Sequence, residues 1–453
     1  MAPDKKIPPA GRKTVDPDDK RLKAEIDRCV RCGACMAKCP VYFATQREGG
    51  VARGKIALTR ADEIGRLEGG KTFQFHLSAC LLCGSCMAVC PNQVDTPLIV
   101  QAERAKLAKA KRTGRLKSFV LRKILPSRRV LPRLLTGARF TRALWAAKVP
   151  GDSGLHIRFL RGPKGERHRI PKITKPFFIK RAKKETEGSK AADVALFAGC
   201  VSNYLRPQAA EAAVSGLTRL GASVTVPTDQ SCCGLPAFGA GETRAARKLA
   251  IRNLDAFLPV DGPWPTYITS PCASCAYMLS KHMVELLSDD ADTARRAREF
   301  ERRVVPFSSL WLKLQEDRGL PGSGGEKSGP LLTYHDPCHL KKGLSESDAP
   351  RKLLTSLPNA RFVEMSDADD CCGQGGSFCI SHYDLSVAIA KRKVEGVLNS
   401  GADVLVTECS GCLLQLAEAL NSQKPGIEVI LTSEALLRFG RTDSGAGPGS
   451  DTG

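Results

Sequence analysis

Cys29-Val-Arg-Cys32-Gly-Ala-Cys35-Met-Ala-Lys-Cys39-Pro40 gives the rest of this chain its bearings, and the pattern returns as Cys80-Leu-Leu-Cys83-Gly-Ser-Cys86-Met-Ala-Val-Cys90-Pro91. Three thiolates at two-residue intervals can wrap three irons of one cube, while the fourth, just before proline, reaches a second cube. Cys29, Cys32, Cys35 and Cys90 are accordingly assigned to one [4Fe–4S] cluster, and Cys80, Cys83, Cys86 and Cys39 to the other. Gly33 and Gly84 are expected to let the backbone approach closely and aim N–H groups at cluster sulfur. Zinc is the rival, since it also takes paired C-x-x-C. It uses four thiolates per ion, however, and has no need of a third cysteine followed by Cys-Pro.

Beyond about residue 191 the pattern changes to short apolar runs that end in cysteine and lead into helix-like stretches. Asp193-Val-Ala-Leu-Phe-Ala leads to Cys200, Ala222-Ser-Val-Thr-Val towards Cys232 and Cys233, and Thr266-Tyr-Ile-Thr-Ser to Cys272 and Cys275. The order recurs with Leu331-Leu-Thr-Tyr before Cys338, Ala360-Arg-Phe-Val-Glu-Met before Cys371 and Cys372, and Asp403-Val-Leu-Val-Thr before Cys409 and Cys412. Matching cysteines stand 137 to 139 residues apart, the mark of a duplicated β/α unit. Alternating strands and helices imply parallel sheets with ligands at the carboxyl ends of the strands, where these cysteines fall. Each C-x-x-C also opens a helix-like stretch, whose free N–H groups and dipole favour thiolate. The fold class expected is an α/β C-terminal half, with the duplicated unit on parallel sheets, joined to an N-terminal α-helical double-[4Fe–4S] domain of ferredoxin type.

Five thiolates per copy exceed the tetrahedral demand of one zinc ion, which favours a larger iron–sulfur assembly. A redox disulfide, or zinc in one copy, remains the alternative at this stage. Cys379 is left over and reads as a nearby or buried thiol. His335 and His339 flank Cys338, where tuning of a cluster by hydrogen bonding competes with a structural place at a strand end. Asp369 and Asp370 before Cys371 read as a solvated turn, and His76 and His382 carry no signal of their own.

The 453 residues are 42% hydrophobic, enough for two or three packed domains. The charged, proline-rich start has no apolar secretory core, so the 19 cysteines are expected to be reduced thiols in a cytoplasmic protein. No run of 18 apolar residues appears, so no membrane-spanning helix is expected. Residues 104–184 hold 26 Lys and Arg against two acids, so this one segment carries the whole +22 excess. Within it, Leu116-Lys-Ser-Phe-Val-Leu-Arg-Lys-Ile-Leu and Val130-Leu-Pro-Arg-Leu-Leu interleave apolar residues with cations, a composition suited to peripheral contact with anionic lipid or to an acidic partner. Its prolines, Pro126, Pro132, Pro150, Pro163, Pro171 and Pro176, are expected to break it into short pieces. No recognition fold supports nucleic acid as a partner. The divisions read from the chain are 1–20 flexible N-terminus, 21–103 double-cluster domain, 104–190 basic connector, 191–318 first copy, 319–330 Gly-rich linker, 331–440 second copy and 441–453 disordered tail.

Gly199-Cys200-Val-Ser, Cys232-Cys233-Gly234, His335-Asp336-Pro337-Cys338-His339 and Cys371-Cys372-Gly373 resemble the duplicated CCG domain of heterodisulfide reductase subunits. Joined to a double ferredoxin, and with Ala52-Arg53-Gly54-Lys55-Ile56 between the cysteine runs, the chain resembles the iron–sulfur subunits of bacterial glycolate and lactate oxidases or dehydrogenases. It is more loosely similar to that of anaerobic glycerol-3-phosphate dehydrogenase. The resemblance spans about 29–103 and 193–436 and implies one or two further clusters, of the non-cubane [4Fe–4S] kind, in the five-cysteine sets. Glycolate-oxidase-type subunits often lack one cysteine of the final C-x-x-C, whereas both copies here keep it, which draws the reading towards heterodisulfide-reductase-like and lactate-linked relatives. No G-x-G-x-x-G and no P-loop is present, so two-electron chemistry on an organic substrate is expected in an FAD-containing dehydrogenase partner. The leading expectation is an oxidoreductase subunit that relays electrons from a 2-hydroxy acid such as lactate or glycolate to a quinone or other carrier. The alternatives are a subunit that itself reduces a disulfide at the CCG clusters, a glycerol-3-phosphate dehydrogenase subunit, and a zinc-bearing interaction module in the C-terminal half.

Overall fold

The computed structural model describes residues 17–67, 70–110, 114–141, 146–148, 155–161, 167–170, 173–182, 185–186, 192–319, 328–424 and 426–440. The expected tail, most of the linker and the first 16 residues lie outside the described residues. A helix, Pro17–Asp27, already begins inside the stretch read as a flexible N-terminus.

The N-terminal unit is helical, as expected. Leu22 and Ile26 of Pro17–Asp27 pack on Ile56, Val94 and Ile99. Ile56 comes from the helix Ala52–Glu63 and Ile99 from Thr96–Lys109. The latter begins where it does because Pro97 sits in its first turn and the Asp95 carboxylate accepts a bond from Leu98 N–H at 3.0 Å. It runs straight through residue 103, because Glu103, Arg104 and Ala108 continue the helix into the connector.

The connector has more structure than its composition implies. Arg115–Phe119 continues into a π-helical turn, Val120–Ile124, and Val130–Phe140 forms a helix. Pro132 does not break that helix. It lies in the first turn, where a missing N–H leaves no intrahelical bond unmade. Three antiparallel strands follow, β1 (Ala146–Lys148), β2 (Leu155–Arg161) and β3 (Arg167–Ile170).

The duplicated half builds two four-stranded sheets. The first is ordered β4-β6-β5-β7, from β4 (Glu185–Thr186), β5 (Ala192–Leu196), β6 (Ala222–Thr225) and β7 (Tyr267–Thr269), parallel apart from the β4 edge. The second is ordered β11-β10-β8-β9, from β8 (Leu331–His335), β9 (Arg361–Phe362), β10 (Val404–Thr407) and β11 (Glu428–Leu431), all parallel. A parallel bridge from Ile268 to Val304 stands in the first copy where β11 stands in the second. β5 is flanked by β6 and β7, and β8 likewise by β9 and β10. The order therefore reverses beside β5 and β8, the switch points at which α/β sheets place ligands.

The linker separates the copies in sequence but not in their packing. One hydrophobic cluster runs from Phe197, Leu249 and Phe300 of the first copy to Leu405, Leu416 and Leu431 of the second, and another joins Leu196 and Leu217 to Tyr334 and Ile430. The helical unit wedges against the second copy, where Val41, Val51 and Leu81 meet Phe378 and Ile389. Burying Leu81 and Phe378 there stabilises the contact by roughly 1.5–3 kcal/mol each.

Candidate metal centres

The two N-terminal cysteine runs fold into near-identical turns. Gly33 caps Ala34–Lys38 and Gly84 caps Ser85–Ala88, both at positive φ. One hollow is lined by Cys29, Cys32, Cys35 and Cys90, with Cys86 at its edge. A second is lined by Cys39, Cys80, Cys83 and Cys86. Burial pushes the Cys39 thiol up to about 11, with Cys83 and Cys80 adding to the shift against the opposing charge of Lys55. Cys86 is held well above its ordinary range by burial and by Cys83 and Cys80. Cys90 thus lines the hollow of the first run and Cys39 that of the second, while Cys86 lines both.

In the second copy, Cys338 follows β8, Cys371 and Cys372 precede the left-handed Gly373, and Cys409 caps the helix Ser410–Gln423 with Cys412 in its first turn. A side chain at Gly373 would need φ +90° and would meet Ser386 O at 2.7 Å, so the Cys-Cys-Gly corner admits only glycine. The Cys372 and Cys412 sulfurs lie 3.3 Å apart. Cys371 touches Cys338, and contact with Cys372 and Cys409 pushes Cys412 well up.

The first copy repeats the arrangement after β5, around Gly234 and at the start of the helix Ala273–Lys281. Cys200 contacts Cys232, Cys233 contacts Cys275, and Cys275 contacts Cys272. Cys233 falls to about 6 because its neighbours Cys232 and Cys275 donate to its thiolate. All ten cysteines of the two sets are free thiols, gathered five and five. Thiols this crowded, several forced up by their neighbours' charge, fit a polynuclear metal centre that would take up that charge. Cys379 stands apart, with its thiol on Gly376 O at 3.2 Å.

The centres also adjoin one another. Contact with Cys371 is the largest influence raising the Cys83 thiol, so the second N-terminal set abuts the second copy's set. Cys272 contacts Cys409, so the two copies' sets abut in turn. Ser274 Oγ sits in that seam, 3.1 Å from Cys409 Sγ and 2.8 Å from His339 Nδ1, while the His339 ring stacks on Tyr277 at 4.7 Å. Burial lowers His339 to about 4, which leaves a neutral imidazole in the seam.

Several residues that organise the centres carried no motif. Lys342 Nζ donates to Ser85 Oγ at 2.9 Å and to Asp369 O at 2.7 Å. Burial opposes its charge, but Cys83, Cys338, Asp369 and Cys371 outweigh it and raise its pKa. Lys393, 2% exposed, is lowered by burial to about 8 beside Asp370 and Cys372. Arg104 donates to the carbonyls of Leu77 (2.7 Å), Cys80 (2.5 Å) and Gly239 (2.6 Å), tying the cysteine loop to the first copy. The only hint in the sequence was Lys341-Lys342 just after His335-Asp336-Pro337-Cys338-His339. Asp369 does more than line a solvated turn, since it faces Lys341 and Lys342, and Asp370 faces Arg392. His335 lies with Cys372 and Cys412 in one group whose donor atoms are all within 4.8 Å.

A cavity of about 460 Å³ opens beside Cys200 and Cys232 of the first copy, lined also by Arg128 and Leu131 of the connector and by Phe177 and Tyr204. The connector helices expose Leu116, Phe119, Leu134 and Phe140. Among the described residues, no helix is long and apolar enough to cross a membrane.

Comparison with known proteins agrees with this layout. Residues 194–280 and 332–417 match the cysteine-rich CCG domain, and residues 25–94 match a 4Fe-4S dicluster domain. The chain is 32% identical over 244 residues to "Lactate utilization protein A" of Exiguobacterium sp., covering 54% of this chain and 96% of that protein. It is 28% identical to the "Probable glycolate oxidase iron-sulfur subunit" of Bacillus subtilis, covering 87% of this chain and 89% of the relative. It is 26% identical to a subunit of the dihydromethanophenazine:CoB--CoM heterodisulfide reductase of Methanosarcina acetivorans, covering 94% and 98% respectively.

Proposed function

Because this chain belongs to the family that joins a 4Fe-4S dicluster domain to paired CCG cysteine-rich domains, we propose that it is the electron-transfer subunit of a flavin-dependent 2-hydroxy-acid dehydrogenase or oxidase. Lactate or glycolate is oxidised in an FAD-containing partner, and the electrons leave to a quinone or another carrier. The observation that carries this reading is the unbroken row of thiol sets, joined by the Cys83–Cys371 and Cys272–Cys409 contacts. Clusters held by these cysteines would supply one-electron storage, which suits dividing a flavin's electron pair. The N-terminal sets hold two cubanes, and the five-cysteine sets hold non-cubane [4Fe–4S] clusters. Around them, Lys342 and Lys393 offset the anionic thiolates, and burial of the second copy's set excludes water. The basic connector, with Leu134 and Phe140 exposed on a cationic helix, rests on anionic lipid at the cytoplasmic face and brings the Cys200 cavity near membrane-borne carriers.

Anaerobic purification under native conditions tests this. A co-purifying flavoprotein, with about 16 irons per chain for four [4Fe–4S] centres, is the expected result. An active chain isolated with no flavoprotein overturns it, and zinc in one copy with correspondingly less iron overturns the four-cluster assignment. The cavity beside Cys200 and Cys232 favours a second reading, in which a disulfide substrate is reduced there; turnover of a disulfide by the isolated, reconstituted chain distinguishes it.

A further inference from the structure

The duplication supplies an internal control for one residue. Three positions before the first cysteine of each set stands Phe197 in the first copy and His335 in the second. Both stand at the carboxyl end of the central strand of their sheet, and both are buried, Phe197 fully and His335 at 1% exposure. Phe197 is an ordinary core residue, packed on Phe257 at 5.8 Å between ring centroids. Filling this place in the fold therefore requires bulk and no nitrogen.

His335 nonetheless brings two ring nitrogens into that place, and neither makes a well-formed hydrogen bond within the protein, the Ala368 carbonyl alone interacting weakly with the ring. Buried polar atoms are almost always satisfied, so an orphaned imidazole wants an explanation in something it binds. The nearby polar groups are otherwise engaged. Arg351 grips the Asp336 carboxylate at 2.8 and 2.9 Å, Lys393 donates to the Asp367 carbonyl, and Lys342 donates to Ser85 and to the Asp369 carbonyl. What remains beside His335 is sulfur: the donor atoms of His335, Cys372 and Cys412 lie within 4.8 Å of one another, a spacing at which all three can bond one metal atom. The Ala368 carbonyl, which accepts from Asp336 N–H at 2.9 Å, is the backbone neighbour of the ring and could hold the N–H that is not ligating.

We propose that His335 is a nitrogen ligand of the second copy's centre, meeting a metal atom together with Cys372 and Cys412, so that the two copies hold chemically different centres. The inference rests on the iron–sulfur reading of the five-cysteine sets. His335 would add a neutral donor to an unchanged set of five thiolates, unlike Rieske centres, where histidines replace cysteines, so the two centres would carry the same ligand charge and differ in coordination. The second copy, set between the N-terminal sets and the first copy, would then differ from the first in its potential.

The test is pulsed EPR on the full chain carrying its native metals, with and without ¹⁵N-histidine. The expected result is a nitrogen coupling of bound-imidazole strength that changes with the isotope and disappears in His335→Phe, the residue type the first copy carries. That variant should keep its iron while losing the coupling, and one midpoint potential should shift. Isotope labelling of the unsubstituted chain gives the same answer if the variant fails to fold. Full iron in the second copy with no isotope-sensitive coupling overturns the ligation and leaves the electron-carrying reading intact. A second copy that takes up no iron overturns that reading, and this inference with it.

Discussion

The first copy of the duplicated unit adjoins one other thiol set and opens on the larger cavity, whereas the second adjoins two sets. Cys200 and Cys232 line a hollow of about 460 Å³ shared with the connector, while Cys371 contacts Cys83 and Cys409 contacts Cys272. Strand order and cysteine order are the same in both, so the difference comes from what packs on each. The connector shapes the larger cavity on the first copy, while the helical unit shapes a smaller one, of about 240 Å³, at Cys371 of the second. Duplication supplied the scaffold, and the neighbours assigned the tasks.

Removing one centre at a time would break this comparison most severely. Cys372→Ser is expected to abolish the second copy's centre and Cys233→Ser the first's, each lowering iron by about a quarter of the roughly 16 atoms. Only the first of these should uncouple the N-terminal sets from the rest. Stopped-flow reduction followed at separate cluster signals checks this, and equal effects from both variants would dissolve the distinction. Next in size is Arg351→Ala. Asp336 is fully buried in the second copy, with Ala198 at the matching place in the first, and loses its bidentate partner. A loss of about 3 kcal/mol is expected, the low end for a broken buried pair because Lys341 stays 3.5 Å away. Denaturant unfolding reads it, and Asp336→Ala in the same chain should recover most of the loss.

Gly373→Ala and Gly234→Ala sharpen the contrast at equivalent corners. Both force alanine to positive φ, but only Gly373 also meets a backbone oxygen at 2.7 Å, the nearest atom at Gly234 being 3.6 Å away. The expected losses are about 2–3 kcal/mol at Gly373 and about 1 kcal/mol at Gly234. Lys342→Met should have the smallest effect. Without the ammonium among Cys83, Cys338 and Cys371, the adjoining centres become harder to reduce, by on the order of 60 mV, a tenfold change in a one-electron equilibrium. Redox titration reads the shift, and signals from the first copy should not move.

Both cysteine patterns were plain in the sequence because ligand spacing is a local matter. The parallel sheets followed from the 137-to-139-residue offset and from strands that end in cysteine. Adjacency was not legible. Cys83 and Cys371 are nearly 300 positions apart, and what joins them is the burial of Leu81 and Phe378, residues with no motif. Lys342 went unrecognised because a lysine's role depends on which thiols surround it after folding. The connector misled by composition, since Pro132 sits in a helix's first turn and β1–β3 arise in a stretch rich in cations and glycine. The offset alone sets His335 against Phe197, but its burial and its spacing from Cys372 and Cys412 come only with the fold.

Arg104 has a consequence for how the protein keeps time. Its guanidinium holds Leu77 and Cys80 to Gly239 of the first copy, while Leu81 and Cys83, one and three residues further on, are committed to the second. A loop fastened on both sides cannot swing. The molecule is therefore built as a fixed conduit and not as a tethered shuttle, so thickening the solvent should slow its encounters with partners and leave its internal transfers untouched.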